Sequence, residues 1–457
     1  MIETLRNAWH VVEIRKRLFY MAVAAIGFRM CSQIPLPGVN RQYLSQAMDD
    51  MGLLQNGFLN AFTGGSLENM SIFALSITPY ITASIIIQLL TIAIPKLEEL
   101  SEEGEAGRKK LNTFTRYLTI GLALVEAVSL TIGLSNKHVF DGNAIALVTS
   151  VFVLTAGATY LMWLGEQLNV HGIGNGISFL LLVNIVSRMP GDIMALYEQF
   201  MKEKKIAVQG LTGSIIFAII AALVIYVIVL NGAVRNIPVI NSKRAGYQTG
   251  GMKHNIPIKV NTSGVLAVIF ASSLLSFPNV IASLTGFNNY GSPIGKVLTA
   301  MNVSSWFDIT SPVYTVGYLV YAVLVVFFAY FYTSININPR LMADDLKKQG
   351  SSIVGVRPGA ETEAYITNVL RYITFIGAVG LLIAATFPFL ISGIFHASVS
   401  FAGTSLIIVA GVCTEIGEQL DAMLVVRNYT SFLSSDGRYN HKKVQKGNRL
   451  KTKKAQG

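Results

Sequence analysis

Long apolar stretches separated by short polar segments make up most of this chain. Most of the stretches have the roughly 17 to 25 residues that a helix needs to cross the hydrocarbon layer of a bilayer. The pattern predicts ten membrane-spanning helices, near residues 18–34, 72–94, 117–134, 144–164, 174–189, 213–230, 264–284, 313–335, 366–389 and 403–426. The fold class predicted from this pattern is an all-α membrane protein.

The second stretch differs from an ordinary apolar span. Pro79 lies inside it among several Ser and Thr residues, and a Gly-containing amphipathic piece, Phe58–Met70, precedes it. That piece is too short to cross a bilayer. Such elements are tolerated at membrane depth only where they line a cavity or are buried in protein. We therefore expect the chain to enclose a pathway.

Composition and charge agree with this class and add an orientation. Of the 457 residues, 52% are hydrophobic and only 13% are charged, whereas soluble proteins carry about 25% charged residues. With the N-terminus in the cytoplasm, ten spans place 27 of the 36 Lys and Arg residues in cytoplasmic segments and 7 in outer segments. This bias follows the positive-inside rule, so both termini are expected to be cytoplasmic.

The long cytoplasmic segments carry structure signals of their own. Residues 96–116 mix acidic and basic side chains, which favours a partly helical hairpin. Loop 231–262 predicts two short paired strands, and loop 336–364 predicts a short helix followed by a turn that exposes Arg357. The basic residues of these loops and of the tail at 427–457 either set topology and touch anionic lipid or bind a phosphate-rich cytoplasmic partner.

Residues with catalytic or ligand chemistry are few. Glu126 and Glu415 are the deepest acidic candidates, and a structural contact within the bundle is favoured over a proton relay. Cys31 and Cys413 fit small apolar core residues rather than a disulfide or a metal site. The GIGNG run at 172–176 follows an apolar helix rather than a strand, so nucleotide binding is rejected there.

A string of segments in a fixed order resembles the SecY family, the channel subunit of the bacterial protein translocase. The string includes FRMCSQIPLPGV (28–39), AFTGGSLENMSIFALSITPYITASIIIQLL (61–90), EEGEAGRKK (102–110), YLMWLGEQLNVHGIGNGIS (160–178), IPIKVNTSGV (256–265), IFASSLLSFP (269–278), INPRLMADDLKKQG (337–350), GVRPGAETEAYI (355–366) and FAGTSLIIVAG (401–411). These segments are spread in order across nearly the whole chain, from residue 28 to residue 411.

The resemblance implies a SecY-like clamshell of ten transmembrane helices in two inverted, pseudo-symmetric halves with a short plug helix. The halves would be residues 1–190, with spans 1–5, and 191–430, with spans 6–10, followed by a flexible basic tail at 431–457. Such a channel passes unfolded secretory polypeptides across the plasma membrane. It also releases apolar segments sideways into lipid through a gate between spans 2 and 7.

The resemblance also assigns roles to individual residues. An aliphatic pore ring would be formed by Ile77, Ile81, Leu181, Ile269 and Ile408. The plug would span 53–69, with Leu53, Phe58, Phe62, Gly64, Gly65 and Leu67. The lateral gate would include Thr82, Gln88, Asn261 and Phe277. The loops that bind partners would present Lys243, Arg244, Arg340, Lys347, Lys348 and Arg357. Periodicity alone would assign Ile77 and Ile81, four residues apart, to ordinary helix packing.

The partners implied are SecE, a SecG-like small subunit, the SecA ATPase, the ribosome, anionic lipid and polypeptides with signal sequences. Ribosomal RNA is the only nucleic acid expected. The chain itself would be a passive channel without cofactor, metal or catalytic residues, driven by a partner ATPase or the ribosome. Its place would be the bacterial plasma (inner) membrane.

Two segments depart from the family pattern. Family members often carry a proline just before the IFASS run, where this chain has Ala267, so a straighter seventh span is expected. Residues 244–255 hold fewer arginines than is usual in the family, which predicts a weaker partner contact there. The alternative function is an ion-coupled solute transporter, which a polar site between broken helices at mid-depth would favour.

Overall fold

The fold, seen in a computed structural model, consists almost entirely of α-helices, with one small sheet. The structure describes residues 9, 11–40, 43–44, 62–135, 139–140, 144–200, 206–241, 254–285, 293–301, 306–307, 312–395 and 405–425. The predicted tail at 431–457 and the plug residues 53–61 lie outside this range. The all-α class is confirmed.

The helices follow the apolar stretches of the sequence. In chain order they are α1 (Val12–Cys31), α2 (Thr78–Ala93), α3 (Pro95–Glu102), α4 (Glu105–Ser135), α5 (Ala144–His171), α6 (Gly176–Phe200), α7 (Ile206–Gly232), α8 (Leu266–Thr285), α9 (Pro293–Met301), α10 (Val316–Asn336), α11 (Pro339–Lys348), α12 (Ala360–Phe395) and α13 (405–425). Ten of these, all but α3, α9 and α11, coincide with the ten predicted spans.

Among the described residues, six helical segments have both the length and the hydropathy of a membrane span. They are Glu105–Ser135, Ala144–His171, Gly176–Met194, Gly213–Gly232, Val316–Lys348 and Ala360–Phe387. A seventh arises if α2 and α3 count as one span, which bends by 106° between them. The α1 and α13 helices carry several charged residues near one end, so composition alone does not mark them as spans.

The second span begins differently from the sequence prediction. The hydropathy pattern predicts a helix from residue 72, whereas residues 64–77 form a series of turns and α2 starts only at Thr78. Met70 and Ser76 have φ angles of +40° and +51°, in the left-handed region that interrupts a right-handed helix. Pro79 lies in the first turn of α2, where a helix needs no backbone donor. Hydropathy therefore predicts that this segment is buried, but it does not predict that its backbone forms turns instead of a helix.

The loops after α7 and α11 join in one antiparallel sheet. Strands β1 (Val234–Asn241) and β2 (His254–Lys259) pair as predicted, and β3 (Ser351–Ile353) adds to the other edge of β1. Ile237, Ile353 and neighbouring aliphatic residues form a small core with α11 and the start of α12. The two loops therefore fold as a single unit, which the sequence does not predict.

The two predicted halves meet along α8. This helix packs against α10 of its own half and against α2 and α4 of the other half. One large hydrophobic cluster contains buried residues from both halves, from Ile14 in α1 to Leu420 in α13. The division at residues 190 and 191 stays a prediction, and α6 runs through it to Phe200.

Candidate functional site

The residues predicted to form an aliphatic ring lie together in the large buried cluster. Ile81 and Ile269 lie in the first turns of α2 and α8, and Ile408 lies in the described part of α13. Ile77 precedes α2 and Leu181 lies in α6, and all five side chains are at most 3% exposed. The Ile81 amide donates to the Ile77 carbonyl at 3.0 Å, which places both side chains on one face. The five aliphatic residues thus belong to one large buried cluster, and their assembly into a pore ring stays a prediction.

The predicted plug residues that the structure describes lie just before α2. Phe62 is 2% exposed and belongs to the same cluster as the five ring residues, whereas Leu67 packs in a neighbouring cluster. Gly64 and Gly65 have φ angles of +59° and +84°, so both adopt a turn conformation that favours glycine. Leu53 and Phe58 lie outside the described residues. The glycine pair therefore lies in a turn, and the plug role stays a prediction.

The α2 helix contacts α8, and three of the four predicted gate residues lie in these two helices. Thr82 donates to the Thr78 carbonyl of its own helix at 3.1 Å, and Phe277 is half-buried in α8. Gln88 accepts a hydrogen bond of 2.6 Å from the Tyr332 hydroxyl of α10, which ties α2 to the other half. Asn261, 5% exposed, instead bonds Asn231 at the end of α7 at 2.7 Å.

The predicted partner-binding residues that are described lie on α11 and in the turn that precedes α12. Asn338 caps α11 by accepting from the amides of Arg340 and Leu341 at 3.1 and 3.3 Å. Lys347 and Lys348 end that helix, where positive charge suits the helix dipole. Arg340, Lys347, Lys348 and Arg357 all lie at the surface, whereas Lys243 and Arg244 lie outside the described residues. The predicted short helix and the exposed turn at Arg357 are confirmed.

The other chemistry-bearing residues fit structural roles. The GIGNG run is a tight helix-to-helix turn in which Asn175 caps α6 and the Gly174 amide donates to Gln419 at 2.7 Å. This context agrees with the rejection of a nucleotide site. Glu415 lies on an exposed side of α13. Cys31 is half-buried and Cys413 is exposed, so the core interpretation is wrong for Cys413.

Sequence reasoning missed three residues that hold these features in place. Tyr332 sits within the aromatic run FFAYFYTS of α10, where nothing distinguishes its hydroxyl from that of Tyr330. Asn184 and Arg188 lie in α6, and both bond the chain that precedes α2. The amide of Asn184 and the guanidinium of Arg188 stand inside or beside an apolar stretch, and such polar groups indicate a specific partner within the protein.

Comparison with known proteins gives consistent matches over most of the chain. A family model described as SecY matches residues 71–416. The protein translocase subunit SecY of Bacillus licheniformis is 40% identical over 444 residues, which cover 95% of this chain and all of the relative. The Bacillus subtilis subunit is also 40% identical, over 450 residues, 95% of this chain and all of the relative.

Solved structures of related fold extend the comparison. A SecY structure concerned with how the plug domain stabilises the closed channel has a TM-score of 0.61 and 16% identity, and covers 89% of this chain and 91% of its own. Sec61 in the canine ribosome–channel complex has a TM-score of 0.55 and 16% identity with the same coverage. The ten-helix clamshell predicted from the resemblance is thereby confirmed as the fold. By family model and full-length identity, the chain belongs to the SecY family of protein translocase subunits.

Proposed function

We propose that this protein is a channel that conducts unfolded secretory polypeptides across the plasma membrane. The observation that carries the proposal is that Ile77, Ile81, Leu181, Ile269 and Ile408 are all buried in one hydrophobic cluster, where they would form an apolar constriction. Membership in a family of translocase subunits supports it, as does the similar fold of a protein conducting channel, with a TM-score of 0.58.

The constriction suits a passage that must admit many sequences and still seal. Aliphatic side chains change rotamers at little cost and offer no hydrogen bonds, so a passing chain is surrounded without being held. A narrow apolar constriction also excludes water and ions by dewetting. Ile77, Ile81, Leu181, Ile269 and Ile408 would form this gasket, with Phe62 sealing it at rest.

The seam between α2 and α8 would serve as a lateral gate. An apolar segment of about 20 residues that reaches an open seam gains transfer free energy on entering lipid, at about 25 cal/mol per Å² of apolar surface. The Tyr332–Gln88 hydrogen bond ties α2 to α10, and Thr82, Asn261 and Phe277 would line the gate. Opening would separate α2 from α8.

The energy for transport would come from partners. SecA or the ribosome would dock on the basic surface that includes Arg340, Lys347, Lys348 and Arg357, with Lys243 and Arg244 in the adjoining loop. A ribosome-bound neighbour, the canine Sec61 channel, supports the second partner. SecE and a SecG-like subunit would complete the complex, and anionic lipid would contact the basic segments.

The protein is a multi-pass membrane protein, and we place it in the bacterial plasma membrane with both termini in the cytoplasm. The excess of Lys and Arg in alternate loops supports this orientation. Bacterial relatives of full length support the compartment. The alternative of an ion-coupled solute transporter finds no support among these relatives.

Transport into vesicles tests the proposed function. The full chain is reconstituted with SecE and a SecG-like subunit, and SecA, ATP and a signal-bearing precursor are added outside. We expect the precursor to become resistant to added protease until detergent opens the vesicles. A precursor that stays sensitive, in vesicles whose channel is folded and bound to its partners, would overturn the proposal.

Arg357→Glu should impair transport without unfolding the protein. The side chain lies at the surface, and its backbone is fixed independently by the bond from the Thr362 hydroxyl to the Arg357 carbonyl at 2.8 Å. Reversing a charge at a docking surface lowers the association rate, so we expect about a tenfold drop in SecA- or ribosome-dependent transport. Lys296→Glu, an exposed change on α9, is the control. Normal export by the Arg357 variant would remove this residue from the partner surface.

A further inference from the structure

The segment between the glycine pair and α2 is held by polar side chains of α6. Asn184, which is fully buried, donates through Nδ2 to the Phe62 carbonyl at 2.7 Å and to the Ser76 hydroxyl at 3.2 Å. Ser76 donates to the same Phe62 carbonyl at 3.0 Å. One amide of α6 therefore ties together both ends of the segment Phe62–Ile77.

A charged contact lies one helical turn further along α6. Arg188 donates through Nη2 to Glu68 Oε1 at 2.6 Å, and the two side chains are only 20% and 35% exposed. Such charge-assisted bonds are stronger than neutral ones, particularly where solvent is partly excluded. Arg29 of α1 adds a bond of 3.2 Å from Nη1 to the Gly64 carbonyl. The segment is thus held from two helices.

The backbone at Gly64 approaches Asn184 so closely that the position requires glycine. A Cβ at Gly64 would lie 2.9 Å from Asn184 Oδ1 and 3.0 Å from Asn184 Cα, closer than side chains can pack. Its φ of +59° also disfavours any other residue. The absence of a side chain at Gly64 therefore allows the segment to seat directly on Asn184.

The same face of α6 carries a residue of the constriction. Leu181, Asn184 and Arg188 follow one another at spacings of three and four, so they share one side of the helix. The segment itself brings Phe62 and Ile77 into the cluster that contains Leu181. One helix face therefore contributes to the apolar seal and holds the chain that completes it.

We propose that Asn184 and Arg188 are positioning residues that clasp the segment Phe62–Ile77 onto α6 and keep the constriction closed at rest. This inference rests on the proposed channel function. Opening the constriction moves Phe62 and Ile77 away from Leu181, which breaks the bonds at Phe62 and Glu68. The clasp thereby sets how often the channel opens without a substrate.

Resting ion conductance of the reconstituted full complex, without precursor, tests the clasp. Asn184→Leu keeps the side-chain volume and removes the donor, while Arg188→Gln and Glu68→Gln each remove one partner of the charged contact. We expect each variant to raise resting conductance about tenfold, the effect of losing one buried or charge-assisted bond. Arg188 also lies 3.8 Å from Asp192 of its own helix, so the double variant Arg188→Gln with Glu68→Gln should leak no more than Arg188→Gln alone, which already lacks the bond to Glu68.

Ser187→Ala is the matched control on α6. The Ser187 hydroxyl donates to the Asn184 carbonyl of its own helix at 2.7 Å and not to the clasped segment, so this variant should conduct like the unmodified channel. Protease-protected precursor is measured in the same vesicles. Variants that transport precursor and keep the resting conductance of the unmodified channel would overturn the clasp. A lack of transport in every sample, the unmodified one included, would instead overturn the channel function.

Discussion

Replacing both Ile81 and Ile269 with serine should raise the resting ion conductance of the reconstituted channel at least about tenfold. The two side chains are 3% and 1% exposed and come from α2 and α8, which belong to different predicted halves. A tenfold change corresponds to about 1.4 kcal/mol of barrier. Burying one Ile side chain stabilises the closed state by about 1.5–3 kcal/mol. Losing two such groups from the proposed constriction would therefore be enough to lower the barrier to ion passage by this amount.

Glycine at both positions should also raise the resting ion conductance, because it removes the same apolar groups that exclude water. Ile92→Ser is the control, since Ile92 lies on the same helix as Ile81 but is 53% exposed. The measurement is single-channel or vesicle ion flux with no precursor present. Unchanged conductance in the serine and glycine pairs would contradict the assignment of these residues to the seal.

Gly157→Ala should lower the stability of the protein by about 1–3 kcal/mol, the usual cost of overpacking. A Cβ at Gly157 of α5 would lie 2.2 Å from the Ile72 carbonyl oxygen. This oxygen cannot move easily, because the Ile72 amide is bonded to the Ile34 carbonyl at 3.1 Å. The substitution would therefore push α5 away from the chain that leads into α2.

Gly121→Ala is the matched control, because a Cβ at Gly121 of α4 would meet no described atom of another element within 4 Å. Alanine there should leave the protein as stable or slightly more stable, since alanine favours a helix more than glycine does. Thermal unfolding of both variants in detergent is the measurement. Equal melting temperatures for the two variants would contradict the close approach of α5 to Ile72.

The sequence predicts the parts of this fold that follow from hydropathy and local turn chemistry. The spans, the paired strands β1 and β2, and the helix before Gln349 all have local signals. Strand β3 has only three residues, Ser351–Ile353. It pairs with residues of β1 that lie more than a hundred positions earlier in the sequence. No local pattern indicates such a partner.

The residue pattern alone predicts only part of the candidate site. Periodicity assigns Ile77 and Ile81 to ordinary packing, and only the family resemblance suggested that they meet Leu181, Ile269 and Ile408. Their common cluster is a tertiary property that a single helix pattern does not encode. Hydropathy also does not predict the turns before α2, because an apolar run has the same hydropathy whether or not it is helical.

Site-specific cross-linking shows whether a translocating chain passes through the proposed constriction. A photoreactive residue replaces Ile81 in the full complex, and a secretory precursor is stalled in transit in membrane vesicles. We predict adducts between position 81 and the precursor, with further adducts from positions 181 and 269. No adduct from any of the three, in a folded channel with its partners bound, would contradict passage through this constriction.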